Sequence, residues 1–167
     1  SSQIDKIIIA PILGFELLGN YALALQFFVV LMMCSTIIFK YLLTQESSGY
    51  KTKKLRTITI LLSIIIAIFG VFVLPHVIPI LFPEFVTSID AIRIISLVVI
   101  PATIVLIYES KFLSLEKSKF LVISKSVSAM ILIVGFLTLG LQFEMIGLSF
   151  SLLLSSCFQA IFLVVSN

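Results

Sequence analysis

The chain is built from long apolar stretches separated by short polar breaks. Five stretches contain no Asp, Glu, Lys or Arg, and they cover residues 17–39, 57–83, 94–108, 126–143 and 145–167. A hydrocarbon core of about 30 Å requires about 20 helical residues at about 1.5 Å each. Within each stretch the apolar residues occupy all sides of the predicted helix instead of forming one stripe. A membrane β-strand would instead alternate apolar and polar residues over about ten positions. The pattern therefore predicts membrane-spanning helices.

The polar breaks divide the chain into one truncated span and five complete ones. The first apolar run, residues 7–13, is too short to cross a bilayer, so we expect the chain to begin part-way through a helix. We predict one transmembrane helical domain over residues 1–167. It has a half-helix at 1–13 and spans at 20–44, 57–81, 88–113, 119–140 and 144–166.

Prolines and polar residues refine two of these boundaries. Pro75, Pro79 and Pro83 recur every four residues and predict a broken or kinked end of the 57–81 span. Ser88 and Asp90 are candidate N-caps for the helix that follows.

The composition agrees with an integral membrane protein. Of the 167 residues, 60% are hydrophobic and only 11% are charged, with a mean hydropathy of +1.29. A soluble domain carries about 25% charged residues. These values exclude a water-soluble domain, a disordered tail and a nucleic-acid module. Cys34 and Cys157 lie inside apolar runs, and we interpret them as small buried hydrophobic residues.

The basic residues predict the orientation. With alternating spans, Arg93 and Lys6 fall on or toward one side of the membrane. The other nine basic residues fall on the opposite side or at its helix ends: Lys40, Lys51, Lys53, Lys54, Arg56, Lys111, Lys117, Lys119 and Lys125. Because cytoplasmic loops are enriched in Lys and Arg, loops 45–56 and 114–119 are predicted to be cytoplasmic in a multi-pass protein of the cytoplasmic membrane.

Three charged residues are candidates for lining a substrate pathway, since charges at membrane depth require a partner or a wet cavity. Asp5 and Lys6 are adjacent in the half-helix, and they either line a cavity or pair with a neighbouring helix. Arg93 follows Asp90 by three positions, so it either forms a surface ion pair or contacts an anionic headgroup or phosphate. The sequence shows no catalytic or metal-ligating set around its single histidine, His76, and we expect neither enzymatic activity nor a cofactor.

Other polar or unusual positions have structural explanations. Glu109, Lys111 and Lys125 lie near the ends of their spans, where snorkelling accounts for them. Pro101 lies near the middle of the 88–113 span and is either a hinge or a static bend. Small residues recur every four positions and predict close helix packing: Gly147, Ser151 and Ser155 in the last span, and Ser124 and Ser128 in the one before.

Two segments resemble a known family. The opening segment has Asp5, an apolar patch, a turn with Gly14 and Gly19, and Tyr-Ala-Leu-Ala at 21–24. The segment PILFPEFVTSIDAIRIIS has an apolar-Pro-acidic-aromatic run before an amphipathic helix start. Over nearly its whole length the chain resembles polysaccharide exporters and lipid-linked oligosaccharide flippases of the multidrug/oligosaccharidyl-lipid/polysaccharide (MATE/MOP) superfamily.

This resemblance implies a specific architecture and function. Members have two six-helix lobes around a central cavity and move a polyprenyl-linked glycan between leaflets by alternating access. The chain would be the C-terminal lobe, and its partners would be membrane lipid, the polyprenyl-linked glycan and the missing N-terminal lobe of the same protein. Asp5, Lys6 and Arg93 would correspond to the charged cavity lining.

Three alternatives remain open at this point. A drug or cation antiporter of the same superfamily would favour acidic residues over basic ones in its cavity. A membrane-embedded glycan polymerase or ligase would need a large outer loop with Arg or His, and a purely structural membrane subunit would form a closed bundle with Asp5 and Lys6 paired internally.

Overall fold

A computed structural model describes residues 15–48, 53–116 and 118–166, and all regular structure in these ranges is helical. The elements are α1 (Phe15–Ser47), α2 (Lys53–Phe72), α3 (Leu74–Leu81), a 3-10 helix (Pro83–Ser88), α4 (Ile89–Ser114) and α5 (Ser118–Val165). In the described part of the chain, α1, α2, α4 and α5 are long and apolar enough to cross a membrane. The prediction of an all-α membrane fold is confirmed, while the half-helix at 1–13 lies outside the described residues.

The last two predicted spans are the two limbs of α5, which folds back on itself. Its helical backbone is interrupted at Phe143 and at Glu144, where φ is 47° and ψ is −123°. A positive φ of this kind favours glycine, so the turn holds Glu144 in an uncommon conformation. The limb of residues 118–142 then packs antiparallel to the limb of residues 145–165.

Small residues let the two limbs of α5 approach closely. The hydroxyl oxygens of Ser128 and Ser155 are 2.7 Å apart, and the Ser155 hydroxyl also donates to the Ser128 carbonyl at 2.9 Å. A Cβ atom added at Gly135 would lie 2.6 Å from the Ser151 Oγ. The close packing predicted from the spacing of Gly147, Ser151 and Ser155 is confirmed.

The 57–81 span consists of two helices. α2 ends at Phe72 and α3 begins at Leu74, just before Pro75. Proline has no N–H to donate to the preceding turn and its ring clashes with that turn, so the helix is broken where the proline spacing predicts. Ser88 occupies the N-cap position of α4 but forms no cap hydrogen bond; its hydroxyl donates instead to Asn20 Oδ1 of α1 at 3.1 Å. The expected capping role of Ser88 is therefore wrong.

Helix α4 is the centre of the bundle and packs against α1, α2 and α5. It runs parallel to α1, since Asn20 bonds Ser88 and Ser35 bonds Thr103 (2.9 Å between hydroxyls), with the same offset of 68 positions. The buried residues of α2 are all small: Thr59, Ser63, Ala67 and Gly70. Pro101 is buried within α4, which continues through it from Ile89 to Ser114, and its role as a hinge stays a prediction.

The outer surface of the bundle is apolar. Large side chains such as Val30, Ile37 and Phe72 are exposed, and in a bilayer they contact lipid. Cys34 is on this exposed surface and Cys157 is half-buried, so the interpretation of both cysteines as buried residues is wrong. In lipid a small apolar side chain gains little from burial, because the surrounding medium is equally apolar.

Candidate functional site: a groove between α1, α4 and α5

A groove of about 570 Å³ runs between α1, α4 and both limbs of α5. It separates two packed clusters, one around Tyr21, Ile92 and Phe136 and the other around Phe112, Leu121 and Leu163. Most of its wall is apolar and comes from three helices: Phe28 and Met32 of α1, Ala102 and Leu106 of α4, and Ala129 and Ile133 of α5. Its volume lies in the range of small-molecule sites, about 300–1,000 Å³.

One end of the groove carries an ion pair between helices. The Lys125 Nζ of α5 lies 3.0 Å from the Glu109 Oε1 of α4. The Glu109 side chain is only 12% exposed, whereas that of Lys125 is 61% exposed. A carboxylate held among apolar helices requires such a counter-ion, because its desolvation is otherwise uncompensated.

Sequence reasoning missed this pair, although a signal for it exists. Snorkelling agrees with the exposure of Lys125 but not with the burial of Glu109. Glu109 and Lys125 each lie within about two helical turns of the short connection between α4 and α5. Because two helices joined by a short connection pack antiparallel, these residues come to the same depth. Comparing the distances of charged residues from a shared loop would have found the pair.

Uncharged polar groups continue along the α5 side of the groove. Ser128 and Ser155 bond each other there, and Ser156 and Gln159 also face the groove. The half-buried Gln159 carries an amide that both donates and accepts hydrogen bonds. The groove therefore offers an apolar wall, a hydrogen-bonding side and a charged end.

Of the three predicted pathway residues, the structure describes Arg93, and Arg93 does not line the groove. Asp5 and Lys6 are outside the described residues. Arg93 is near the opposite end of α4 from Glu109, and its Nη1 lies 3.3 Å from the Asp90 Oδ1, with both side chains at least half exposed. This geometry is the surface pair that the i, i+3 spacing allows, and a role of Arg93 in substrate transport stays a prediction.

His76 lies at the break between α2 and α3. Its Nδ1 is 2.8 Å from the carbonyl oxygen of Phe72 at the end of α2, which gives the ring a structural contact. Among the residues that the structure describes, no group of three His, Cys, Asp or Glu side chains is placed to hold a metal ion.

Comparison with known proteins adds no family to these observations. No protein-family model, curated protein or solved structure matches the chain significantly.

Proposed function

We propose that the chain is one lobe of a transporter that moves lipid-linked oligosaccharide or polysaccharide across the cytoplasmic membrane by alternating access. The observation that carries the proposal is the groove, which has apolar walls and an ion pair at one end within a membrane-spanning bundle. A lipid-linked saccharide likewise has an apolar part and a charged part, since its prenyl chain is apolar and its phosphate is charged. Ionisable residues inside membrane spans mark substrate or ion pathways in many transporters.

The distribution of basic residues suggests an orientation for the groove. The basic residues near the ends of α1, α2, α4 and α5 favour a cytoplasmic location for the loops at 45–56 and 114–119. In this orientation the Glu109–Lys125 pair lies toward the cytoplasmic end of the groove, where a substrate made in the cytoplasm would enter.

The burial of Glu109 favours a second candidate function, that of a drug or cation antiporter. Glu109 is the more buried member of the pair, and a cation carrier would rely on that carboxylate. The two functions therefore make opposite demands on the pair: an anionic substrate needs Lys125, and a cationic substrate needs Glu109.

Neutral substitutions in the full-length protein separate the two functions. For a lipid-linked saccharide, Lys125→Gln should lower translocation in proteoliposomes about tenfold, equivalent to about 1.4 kcal/mol, while Glu109→Gln retains most of it. Lys119→Gln is the matched control, because Lys119 is exposed on the same helix and does not line the groove. Loss in Glu109→Gln with normal transport in Lys125→Gln would support the antiporter instead.

Arg93→Ala tests the pathway predicted from the sequence. We expect less saccharide at the cell surface at an unchanged protein level, since the guanidinium suits an anionic phosphate. Unchanged surface saccharide would leave Arg93 as a partner of Asp90 only.

A further inference from the structure

We infer that the groove is a binding site for one anionic phospholipid of the surrounding bilayer, with an acyl chain along the apolar wall and the headgroup phosphate at Lys125. The inference does not rest on the proposed transport. It concerns the molecule that occupies the groove when no transported substrate is present.

The groove opens to the outside of the bundle. On its α5 side Lys125 and Ala129 are exposed, and Ile133 and Leu152 are half-buried. The outside of a bundle at this depth is hydrocarbon, so the groove is continuous with the lipid phase. An empty groove would forfeit the dispersion contacts of its walls, and water finds few partners along apolar surfaces. An acyl chain of the bilayer fills such a space without either loss.

The charged end is suited to a phosphate. The Lys125 ammonium has three donors, and Glu109 accepts from it on the groove side. Because the side chain is 61% exposed, donors remain for a group outside the bundle. Lys125 lies about 10 Å along α5 from Ser118, at about 1.5 Å per residue, which places its long side chain within reach of the headgroup region.

The surrounding charge favours an anionic lipid. Lys53 and Lys54 at the start of α2 are exposed at the same end of the bundle as Lys125. Glu109 is the acid that faces Lys125, and it is 12% exposed, so it presents little negative charge to the headgroup layer. Basic residues at this level attract anionic lipids in preference to zwitterionic ones.

Lipid retention by the purified protein tests the inference. The full-length protein is extracted in mild detergent without substrate, and bound lipids are quantified by mass spectrometry. We expect about one anionic phospholipid per protein, and about tenfold less in Lys125→Gln, as for the loss of one charge-assisted hydrogen bond. Lys119→Gln should retain the lipid, since Lys119 does not line the groove.

A second variant tests the chain-binding part. Ala129→Phe fills the groove from an exposed position, so it should fold normally, keep Lys125 and still lose the lipid. Delipidated wild-type protein should rise in Tm with phosphatidylglycerol vesicles more than with phosphatidylcholine vesicles or inorganic phosphate.

Four results would overturn the inference. Equal losses of bound anionic lipid in Lys125→Gln and Lys119→Gln would indicate diffuse charge attraction. Retention of zwitterionic lipid as strong as that of anionic lipid would show that the Lys125 ammonium does not select the headgroup. A Tm response to inorganic phosphate alone would indicate an ion site, and no retained lipid in the wild type would mean that other protein covers the groove. Normal lipid retention in a protein that transports nothing would leave this inference intact and remove the proposed function.

Discussion

Helices α1 and α4 have the same apolarity but opposite places in the bundle. The most apolar stretch of each has a mean hydropathy of 2.3, yet 11% of the stretch is buried in α1 and 56% in α4. In water, both helices would be buried in the core of the protein. In a bilayer the medium is as apolar as the core, so hydropathy places a helix in the membrane without saying which helix is central.

Small and polar residues account for the difference. At its contacts α4 meets the hydroxyl of Ser35 on α1 and packs against α2, whose buried residues are all small. Such residues allow backbones to approach and permit hydrogen bonds between helices, which are the interactions that drive helix association in lipid. Three pairs of substitutions test this explanation, each with one member on α4 or packed against it and one member on α1.

The largest effect is expected from leucine at two glycines. A Cβ atom at Gly70 of α2 would lie 2.5 Å from the Ser96 Oγ of α4, whereas among the described residues nothing lies within 4 Å of one at Gly19 of α1. Gly70→Leu should therefore lower the free energy of unfolding by about 3 kcal/mol through overpacking. Gly19→Leu should be close to neutral. Reversible unfolding in mixed micelles measures both, and equal effects would refute the close α2–α4 packing.

A smaller effect is expected from removing methyl groups. Val98 of α4 is 0% exposed and Val30 of α1 is 61% exposed. Val98→Ala should cost about 1 kcal/mol of unfolding free energy, since it leaves a cavity that surrounding side chains fill only in part. Val30→Ala should cost almost nothing, because lipid fills the space. The same unfolding assay measures both variants, and a larger loss in Val30→Ala would place α1, not α4, in the core.

The smallest effect concerns one hydrogen bond between helices. Thr103→Val removes the bond to Ser35 and should cost about 0.6 kcal/mol, the average for such bonds in membranes. The control is Thr36→Val, because the exposed Thr36 hydroxyl donates to the Met32 carbonyl of its own helix at 2.8 Å and not to another helix in the described part of the chain. If both variants unfold alike in the same assay, the polar contact does not select the α1–α4 pairing.

Much of the local structure was predictable from particular residues. Pro75 located the break after α2, because its ring lacks the N–H that would bond the preceding turn, although α3 and α4 continue through Pro79 and Pro101. The spacing of Ser151 and Ser155 predicted a close contact, since residues four apart share a helix face. The identity of the partner was not predictable, because the spacing does not say which helix lies opposite.

The candidate site was less predictable. Glu109 and Lys125 are separated in sequence, and each fits snorkelling when considered alone. Their pairing appears only when α4 and α5 pack antiparallel, and the groove beside them is formed by three helices that share no sequence pattern. Arg93, which was predicted to line the pathway, instead forms an exposed ion pair with Asp90.

The sequence by itself determined that the chain lies in a membrane, how many apolar segments it has and where they are broken. These properties follow from local quantities, namely the length of apolar runs, the positions of prolines and the scarcity of charge. Only the tertiary structure decided that α4 is central, that α5 is a hairpin closed by serines and glycine, and that a carboxylate meets an ammonium at the end of a groove. The physical reason is that lipid removes the hydrophobic drive between helices, so short-range packing and polar contacts between distant residues choose the arrangement.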